Sequence, residues 1–238
     1  MTTISQNVSQ INQNILEASA FNNFPEKVTL VAVSKGHSFD KIIEAFDAGI
    51  INFGENYLQE ALNKKLHLEN FAIQWHFLGP IQSNKCKLIA ENFDWVHSVD
   101  RLKVMKLLND LRPSSATPLN ICIQINSSGE DTKSGIAIDD AQSHLIDLIS
   151  ALKELPKLKL RGIMSIPSNM EDREKVIDEF KSMHVLYAKL KNQIDTVDTL
   201  SMGMSNDFKP AIEHGSNLVR IGTAIFGARA IKTQGDDN

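Results

Sequence analysis

The stretch Val28-Thr29-Leu30-Val31-Ala32-Val33-Ser34-Lys35 decides the fold. Most of it is a continuous apolar and β-branched run, which is typical of a strand buried on both faces of a parallel sheet. Further runs of this kind follow, separated by amphipathic stretches of helical period. The eight predicted strands are 28–33, 51–54, 74–78, 95–98, 120–125, 161–166, 199–202 and 218–221. This strand–helix alternation predicts an α/β protein whose parallel sheet is covered by helices.

Two arrangements of such a sheet are compatible with this alternation, an open doubly wound sheet and a closed barrel. A doubly wound open sheet that binds a dinucleotide has a glycine-rich first turn, yet the turn after the first strand is SKGH at 34–37, and the pattern G-x-G-x-x-G does not occur. Eight strand–helix units in about 200 residues are typical of a (β/α)8 TIM barrel. We therefore expect one barrel domain over residues 1–238, with an extra N-terminal helix within 1–24 and a polar tail at 231–238.

Composition excludes several classes of protein. The chain has 25 Lys+Arg and 29 Asp+Glu, a formal net charge of -4, so no global basic field favours nucleic acid. Two cysteines are too few for a disulfide framework or a four-thiolate metal site. No apolar run approaches the roughly 18 residues of a membrane span, and no signal peptide is visible. We expect a cytoplasmic protein without nucleic-acid, membrane or metal partners, either a monomer or a weak dimer.

The chemistry of a barrel lies on the loops that follow its strands. Lys35 comes directly after the first predicted strand, so its side chain is expected to project from the rim of the barrel beside an apolar wall. Burial disfavours an ammonium ion and lowers the pKa of a lysine, which prepares the amine for a Schiff base. A lysine that ends a strand is also often merely solvated. Position alone leaves both interpretations open.

Two loops rich in small residues follow the seventh and eighth predicted strands, at 201–205 (SMGMS) and 220–223 (RIGT). Phosphate sites of barrel enzymes recur at these two loops, because glycine lets backbone N–H groups approach an anion and hydroxyls add donors. Either loop alone is explained by a turn at Gly203 or Gly222. Together with Lys35 they predict a phosphorylated carbonyl ligand. Pyridoxal 5′-phosphate fits this description, and so does the phosphosugar of a Schiff-base aldolase.

Seven motifs stand out along the chain, namely AVSK at 32–35, FGENYLQE at 53–60, WHFLG at 75–79, QSNK at 82–85, GIM at 162–164, LSMGMS at 200–205 and RIGTAIFG at 220–227. In this order they resemble those of one family, the pyridoxal phosphate homeostasis proteins (the YggS/PROSC family). The resemblance covers nearly the whole chain, and it implies a barrel similar to the N-terminal domain of alanine racemase. It implies pyridoxal phosphate held as an aldimine on Lys35. The residues implied to hold the phosphate are Ser201, Gly203, Ser205, Gly222 and Thr223.

The resemblance also suggests roles for other residues. Arg220 is predicted to face the pyridine nitrogen or to brace the phosphate, and its alternative is a surface ion pair. Against the ring it would keep the nitrogen unprotonated, because an arginine is always cationic and cannot accept a proton. Met164 either packs under the cofactor ring or fills a barrel layer. Asn56 and His76 either orient the ring edge or the lysine, or are a helix N-cap and a core histidine. Lys133 is either an aid to cofactor exchange or a solvated loop lysine.

The implied function is binding and delivery of pyridoxal phosphate in the cell, with transient apo-enzyme partners and without robust catalysis. A pyridoxal-phosphate-dependent amino-acid racemase is the alternative. Two-base racemisation needs a second acid or base opposite the lysine, which racemases supply as a tyrosine. The tyrosines here are Tyr57, at the start of a predicted helix, and Tyr187, on an amphipathic helix. Neither position suits that role, so the sequence favours a binding protein.

Overall fold

The computed structural model describes residues 2–21, 27–130, 133–168 and 172–229. Over these ranges the chain alternates strands with helices. The strands are β1 (Thr29–Val33), β2 (Asn52–Glu55), β3 (Gln74–Phe77), β4 (Trp95–Val99), β5 (Leu119–Asn126), β6 (Ile136–Ala137), β7 (Leu158–Ser165), β8 (Thr199–Ser201) and β9 (Leu218–Ile221). The helices are α1 (Ile4–Ala20), α2 (Phe39–Asp47), α3 (Leu58–His67), α4 (Cys86–Asn92), α5 (Leu102–Leu111), α6 (Ala141–Leu152), α7 (Arg173–Lys191), α8 (Phe208–Glu213) and α9 (Thr223–Phe226).

The strands form a closed barrel. Hydrogen-bonded neighbours follow the order β4-β3-β2-β1-β9-β8-β7-β5, and a parallel pairing of β4 with β5 closes the circle. Ala32 of β1 shows the register, since it lies opposite Phe53 of β2 on one side and Ile221 of β9 on the other. The short strand β6 pairs with the end of β5 outside the circle. The predicted (β/α)8 TIM barrel is therefore confirmed.

All eight predicted strands are present, and the largest shift is at the start of β7. This strand begins at Leu158 because Leu158 and Leu160 pair with Leu119 and Ile121 of β5 and are buried there. The helices α8 and α9 and the strand β6 were not predicted. Elements of two to six residues are too short for a hydrophobic period to be visible in the sequence.

The predicted N-terminal helix is present as α1. Thr3 begins it with a capping box, in which its hydroxyl accepts from the backbone N–H of Gln6 and the Gln6 side chain accepts from the backbone N–H of Thr3. One face of α1, including Val8, is buried against α2, α8 and α9, and Asn7 donates a hydrogen bond of 2.8 Å to the carbonyl of Ile225. Residues 22–24 of the predicted N-terminal segment, and the predicted tail 231–238, lie outside the described residues.

The barrel encloses polar as well as apolar side chains. His76, His97, Ser201 and Arg220 are each at most 5 % exposed. His76 contacts His97 between the neighbouring strands β3 and β4, and Arg220 contacts Ser201 between the neighbouring strands β9 and β8. The contact of His97 with Ser201 joins β4 to β8, which are not neighbours in the circle, so it runs through the barrel interior. Among the described residues, no helix is both long and apolar enough to cross a membrane.

Candidate functional site

A cavity of about 590 Å³ opens at the carboxyl ends of the barrel strands. Most of the predicted cofactor residues line it, namely Lys35, Asn56, Met164, Ser205, Arg220, Gly222 and Thr223. They come from the ends of β1, β2, β7, β8 and β9. Residues that are far apart in the sequence therefore meet at the end of the barrel where this fold carries its chemistry.

Lys35 is partly buried in the wall of this cavity. Its pKa is lowered from the ordinary value, mainly because burial disfavours the ammonium ion, and the positive charge of Arg229 acts in the same direction. Glu55 acts in the opposite direction and moderates the effect. The lowered pKa has the expected direction and makes the neutral amine, which is the nucleophilic form, easier to reach.

A buried ion pair lies beside Lys35. Lys64 donates hydrogen bonds to the carboxylates of Glu55, at 2.7 Å, and Glu60, at 2.6 Å, and to the backbone carbonyl of Ser34, at 2.7 Å. The Ser34 hydroxyl donates to the same Glu55 oxygen at 2.6 Å. Both partners of the Glu55–Lys64 pair are almost completely buried. This pair therefore fixes the backbone that carries Lys35.

Glu55 and Lys64 are not among the site residues predicted from the sequence. One sequence pattern indicates that Lys64 is buried. Ala61, Lys64 and Leu68 recur at helical spacing along α3 and its C-cap, and because Ala61 and Leu68 are apolar, this face of the helix is expected to pack inward. A lysine on a buried helix face requires a partner. The sequence does not show that this partner is Glu55, because the two residues meet only when β2 and α3 pack together.

The small residues of the two predicted phosphate loops divide into two groups. Ser205, Gly222 and Thr223 line the cavity, and the Ser205 hydroxyl accepts a hydrogen bond of 3.4 Å from the backbone N–H of Ala224. Ser201 and Gly203 are buried behind the cavity wall. The contact of Ser201 and Gly203 with a phosphate stays a prediction.

Gly203 also has a steric reason to be glycine. Its φ is +96°, and a Cβ atom there would lie 2.7 Å from Ala211 Cβ and 3.0 Å from Phe208 Cα. Gly203→Ala is expected to lower the free energy of unfolding by about 2–4 kcal/mol, from backbone strain and overpacking together. Gly49→Ala is the matched control, because φ is +95° and nothing lies within 4 Å of its Cβ position. Urea denaturation should show a loss of about 1 kcal/mol for this control, and equal losses in the two variants would contradict the packing argument.

Arg220 is buried, so the alternative of a surface ion pair is wrong. Its guanidinium donates to the Ser201 hydroxyl at 2.6 Å and to the carbonyl of Ser165 at 2.8 Å. Burial lowers the pKa of Arg220 to about 10, and the negative charge of Asp207 opposes that change. At neutral pH the floor of the cavity therefore carries a permanent positive charge.

The structure places the four remaining predicted residues in different surroundings. Asn56 lines the cavity but does not cap a helix, because α3 has Tyr57 at its N-cap. Met164 is 1 % exposed and lines the cavity. His76 does not reach this cavity and lines a second one of about 370 Å³ at the opposite end of the barrel. Lys133 lines the site cavity and donates hydrogen bonds to Glu130 and to the carbonyl of Pro167, each at 2.9 Å, so it is not freely solvated.

The tyrosines lie where the sequence placed them. Tyr57 is largely exposed at the start of α3, and Tyr187 is buried on α7. Neither of these two residues lines the cavity. Within the described ranges, the structure therefore offers no tyrosine opposite Lys35.

Comparison with known sequences shows which proteins this chain is similar to. A family model for the N-terminal domain of alanine racemase matches residues 6–230. A pyridoxal phosphate homeostasis protein of Vibrio alginolyticus is 48% identical over 234 residues, covering 96% of this chain and 99% of its own. The chain belongs to the pyridoxal phosphate homeostasis protein family. The family's member from Escherichia coli (strain K12) is 46% identical over 233 residues, covering 96% of this chain and 98% of its own.

Solved structures extend this comparison. PipY of Synechococcus elongatus PCC7942, solved with pyridoxal phosphate (PLP) bound, matches with a TM-score of 0.80 and 30% identity, covering 94% of this chain and all of its own. Alanine racemase from Bacillus anthracis matches with a TM-score of 0.61 and 21% identity, over 93% of this chain and 56% of its own, which shows a shared fold. Membership of the pyridoxal phosphate homeostasis protein family, inferred above from the motifs, is confirmed.

Proposed function

We propose that this protein binds pyridoxal 5′-phosphate covalently through Lys35 and takes part in the intracellular homeostasis and delivery of the cofactor, without robust catalytic activity. One observation carries the proposal. The amine of Lys35, with its lowered pKa, shares a single cavity with the small residues of two strand-end loops and with Arg220. The pyridoxal phosphate bound to the related PipY supports the same choice of ligand.

The residues present suit this cofactor. A Cβ atom at Gly222 would lie 3.0 Å from the carbonyl oxygen of Val33, so the backbone at this loop packs closely beside the end of β1, which leads to Lys35. Ser205 and Thr223 add hydroxyl groups at the same wall, and together these three residues would hold the phosphate. Pyridoxal phosphate supplies an aldehyde, which an amine captures with loss of water.

Arg220 adds charge to this arrangement. An arginine has donors but no acceptor, and it remains protonated at neutral pH. Whether it meets the ring nitrogen or the phosphate, it would place a fixed cation against an anionic ligand. Against the ring nitrogen it would leave that nitrogen unprotonated, which weakens the electron sink that amino-acid chemistry requires. The resemblance to alanine racemase implies the same arginine, so the contrast with a racemase rests on the tyrosines, since neither Tyr57 nor Tyr187 lines the cavity.

The decisive experiment is a visible absorption spectrum of the purified protein with added pyridoxal phosphate, before and after borohydride reduction, followed by mass mapping of the reduced adduct. We expect a yellow protein whose adduct maps to Lys35. Incubation with amino acids in deuterium oxide is expected to show no exchange at Cα. A colourless protein that ignores the cofactor would refute the proposal, and it would favour the aldolase alternative if a phosphosugar is reduced onto Lys35. Exchange at Cα would instead favour the racemase.

A further inference from the structure

A row of hydrogen-bonded polar side chains runs through the centre of the barrel. Arg220 Nη1 donates to Ser201 Oγ at 2.6 Å, and Ser201 Oγ lies 3.2 Å from His97 Nδ1. His97 Nε2 lies 2.9 Å from His76 Nδ1, and His76 Nε2 lies 3.1 Å from Asn52 Oδ1. We call these five residues the relay. Arg220 lines the site cavity, whereas Asn52 and His76 line the cavity at the opposite end of the barrel.

The Asn52 end of the relay determines the direction of its hydrogen bonds, because the Ser201 oxygen has two lone pairs and is compatible with Arg220 in either direction. The Asn52 oxygen can only accept, so His76 Nε2 carries a proton, and the Nδ1 atom of a neutral His76 must accept. His97 therefore donates from Nε2 and accepts at Nδ1 from the Ser201 hydroxyl. The oxygen of Ser201 accepts from Arg220, which can only donate. The opposite direction would require the Asn52 amide to present its NH2 group to His76, whereas in this structure the amide oxygen faces His76 Nε2.

Burial favours the neutral form of both imidazoles, those of His76 and His97. Desolvation lowers the pKa of His76 to about 3, and it lowers the pKa of His97 well below the ordinary value, with His76 and Arg220 adding to the effect. His76 is also stacked on Trp95, with ring centroids 5.4 Å apart and an interplanar angle of 13°. The rings therefore have one protonation state and a fixed orientation.

We propose that Ser201, His97 and His76 are positioning residues for Arg220, and that the relay holds the guanidinium at the floor of the cofactor cavity. The Ser201 hydroxyl donates its hydrogen bond to His97 Nδ1 and so presents an oxygen lone pair to Arg220. Without that acceptor, a buried guanidinium N–H would lose its hydrogen bond, which is costly next to a charge. This assigns Ser201 to Arg220 rather than to the phosphate. The consequence for cofactor binding rests on the proposed function, whereas the relay belongs to the ligand-free protein.

The first test is ¹⁵N NMR of the histidine rings in the ligand-free protein at neutral pH. In both His76 and His97 we expect a protonated, pyrrole-like Nε2 and an unprotonated, pyridine-like Nδ1. In Ser201→Ala the Nδ1 resonance of His97 should shift, because its donor is gone. Ser165→Ala is the matched control, since the Ser165 hydroxyl is buried without a partner among the described residues and only its backbone carbonyl contacts Arg220. A protonated Nδ1 in either ring, or an unshifted His97 in Ser201→Ala, would overturn the relay.

The second test measures the affinity for pyridoxal phosphate. Losing one hydrogen bond to a buried charge corresponds to a dissociation constant about tenfold higher for Ser201→Ala, and Ser165→Ala should match the unmodified protein. His97→Gln is expected to weaken binding too, although His97 does not reach the site cavity. Normal affinity in His97→Gln beside a loss in Ser201→Ala would make Ser201 a direct ligand and overturn its positioning role. If the unmodified protein binds no pyridoxal phosphate, the proposed function fails while the NMR result still decides the relay.

Discussion

Lys35→Ala is expected to be colourless in the presence of pyridoxal phosphate and to gain no mass after borohydride reduction. The variant removes the amine whose pKa burial lowers, and it leaves the rest of the cavity in place. Since a methyl group cannot form a carbon–nitrogen double bond, the loss of covalent adduct should be complete rather than partial. Visible absorption and intact-mass spectrometry measure it directly. Residual affinity should remain, because the loops and Arg220 are unchanged.

Lys133→Ala is the matched control, since Lys133 is a second lysine in the wall of the same cavity. Its ammonium group already donates to Glu130 and to the carbonyl of Pro167. We therefore expect a yellow Lys133→Ala protein whose adduct still maps to Lys35. If Lys35→Ala stays yellow and the adduct appears on Lys133, the assignment of the covalent link is wrong, although the proposed ligand stands.

Lys64→Met is expected to lower the free energy of unfolding by about 3–5 kcal/mol. The substitution removes one partner of a buried ion pair and leaves the Glu55 carboxylate without its countercharge. One oxygen of Glu55, Oε2, already has no hydrogen-bond partner among the described residues. After the substitution, the Ser34 hydroxyl, which donates to the other oxygen, would be the remaining hydrogen-bond donor to the carboxylate. Chemical denaturation at neutral pH measures the loss.

The loss of stability in Lys64→Met should depend on pH. Burial raises the pKa of Glu55 above its ordinary value, and Lys64 acts in the opposite direction. Without Lys64 the pKa of Glu55 in the folded state rises further. A carboxyl whose folded pKa exceeds its unfolded pKa binds the proton more tightly when folded, so stability is recovered as the pH falls through the folded pKa. The deficit of Lys64→Met should therefore be largest at neutral and alkaline pH and smaller in mild acid.

Lys87→Met provides the control for a lost lysine charge. Lys87 faces Glu91 at 4.0 Å on the exposed side of α4, with two thirds of its side chain accessible to solvent. An exposed pair of this kind contributes little, so a change within about 0.5 kcal/mol is expected. A Lys64→Met variant as stable as Lys87→Met would show that the buried pair does not stabilise the fold. A deficit that is the same at every pH would show that the unpaired charge of Glu55 is not its cause.

The barrel could be predicted because its signal is local. Each strand is a short apolar run, and in β9 the predicted and observed bounds agree at Leu218 and Ile221. The positions of Lys35 and Gly222 on the cavity could be predicted for the same reason, since in a barrel the carboxyl ends of all strands lie on one face. The helix cap at Asn56 was predicted one residue too early, because capping depends on backbone angles that side-chain preference indicates only weakly.

The partners of buried polar groups could not be predicted in this way. Nothing in the residue types shows that Lys64 meets Glu55, or that His97 meets Ser201 across 104 positions of sequence. The first pair forms when α3 packs against β2, and the second forms because the closed barrel brings β4 and β8 together, which are not neighbouring strands. A buried histidine at position 76 was expected as one alternative, and its participation in a row of hydrogen bonds was not.

The amino-acid sequence by itself determined the class of the fold, the covalent lysine as a candidate and the family to which the chain belongs. These three conclusions depend on the spacing of apolar residues and on motifs whose own residues lie within a few positions of one another. Only the tertiary structure decided which polar groups face the cavity and which support it from behind. Ser205 and Ser201 illustrate the difference, since they lie four positions apart, yet one lines the cavity and the other is enclosed between His97 and Arg220. Burial and hydrogen-bond partnership depend on the closed barrel, and no local pattern specifies them.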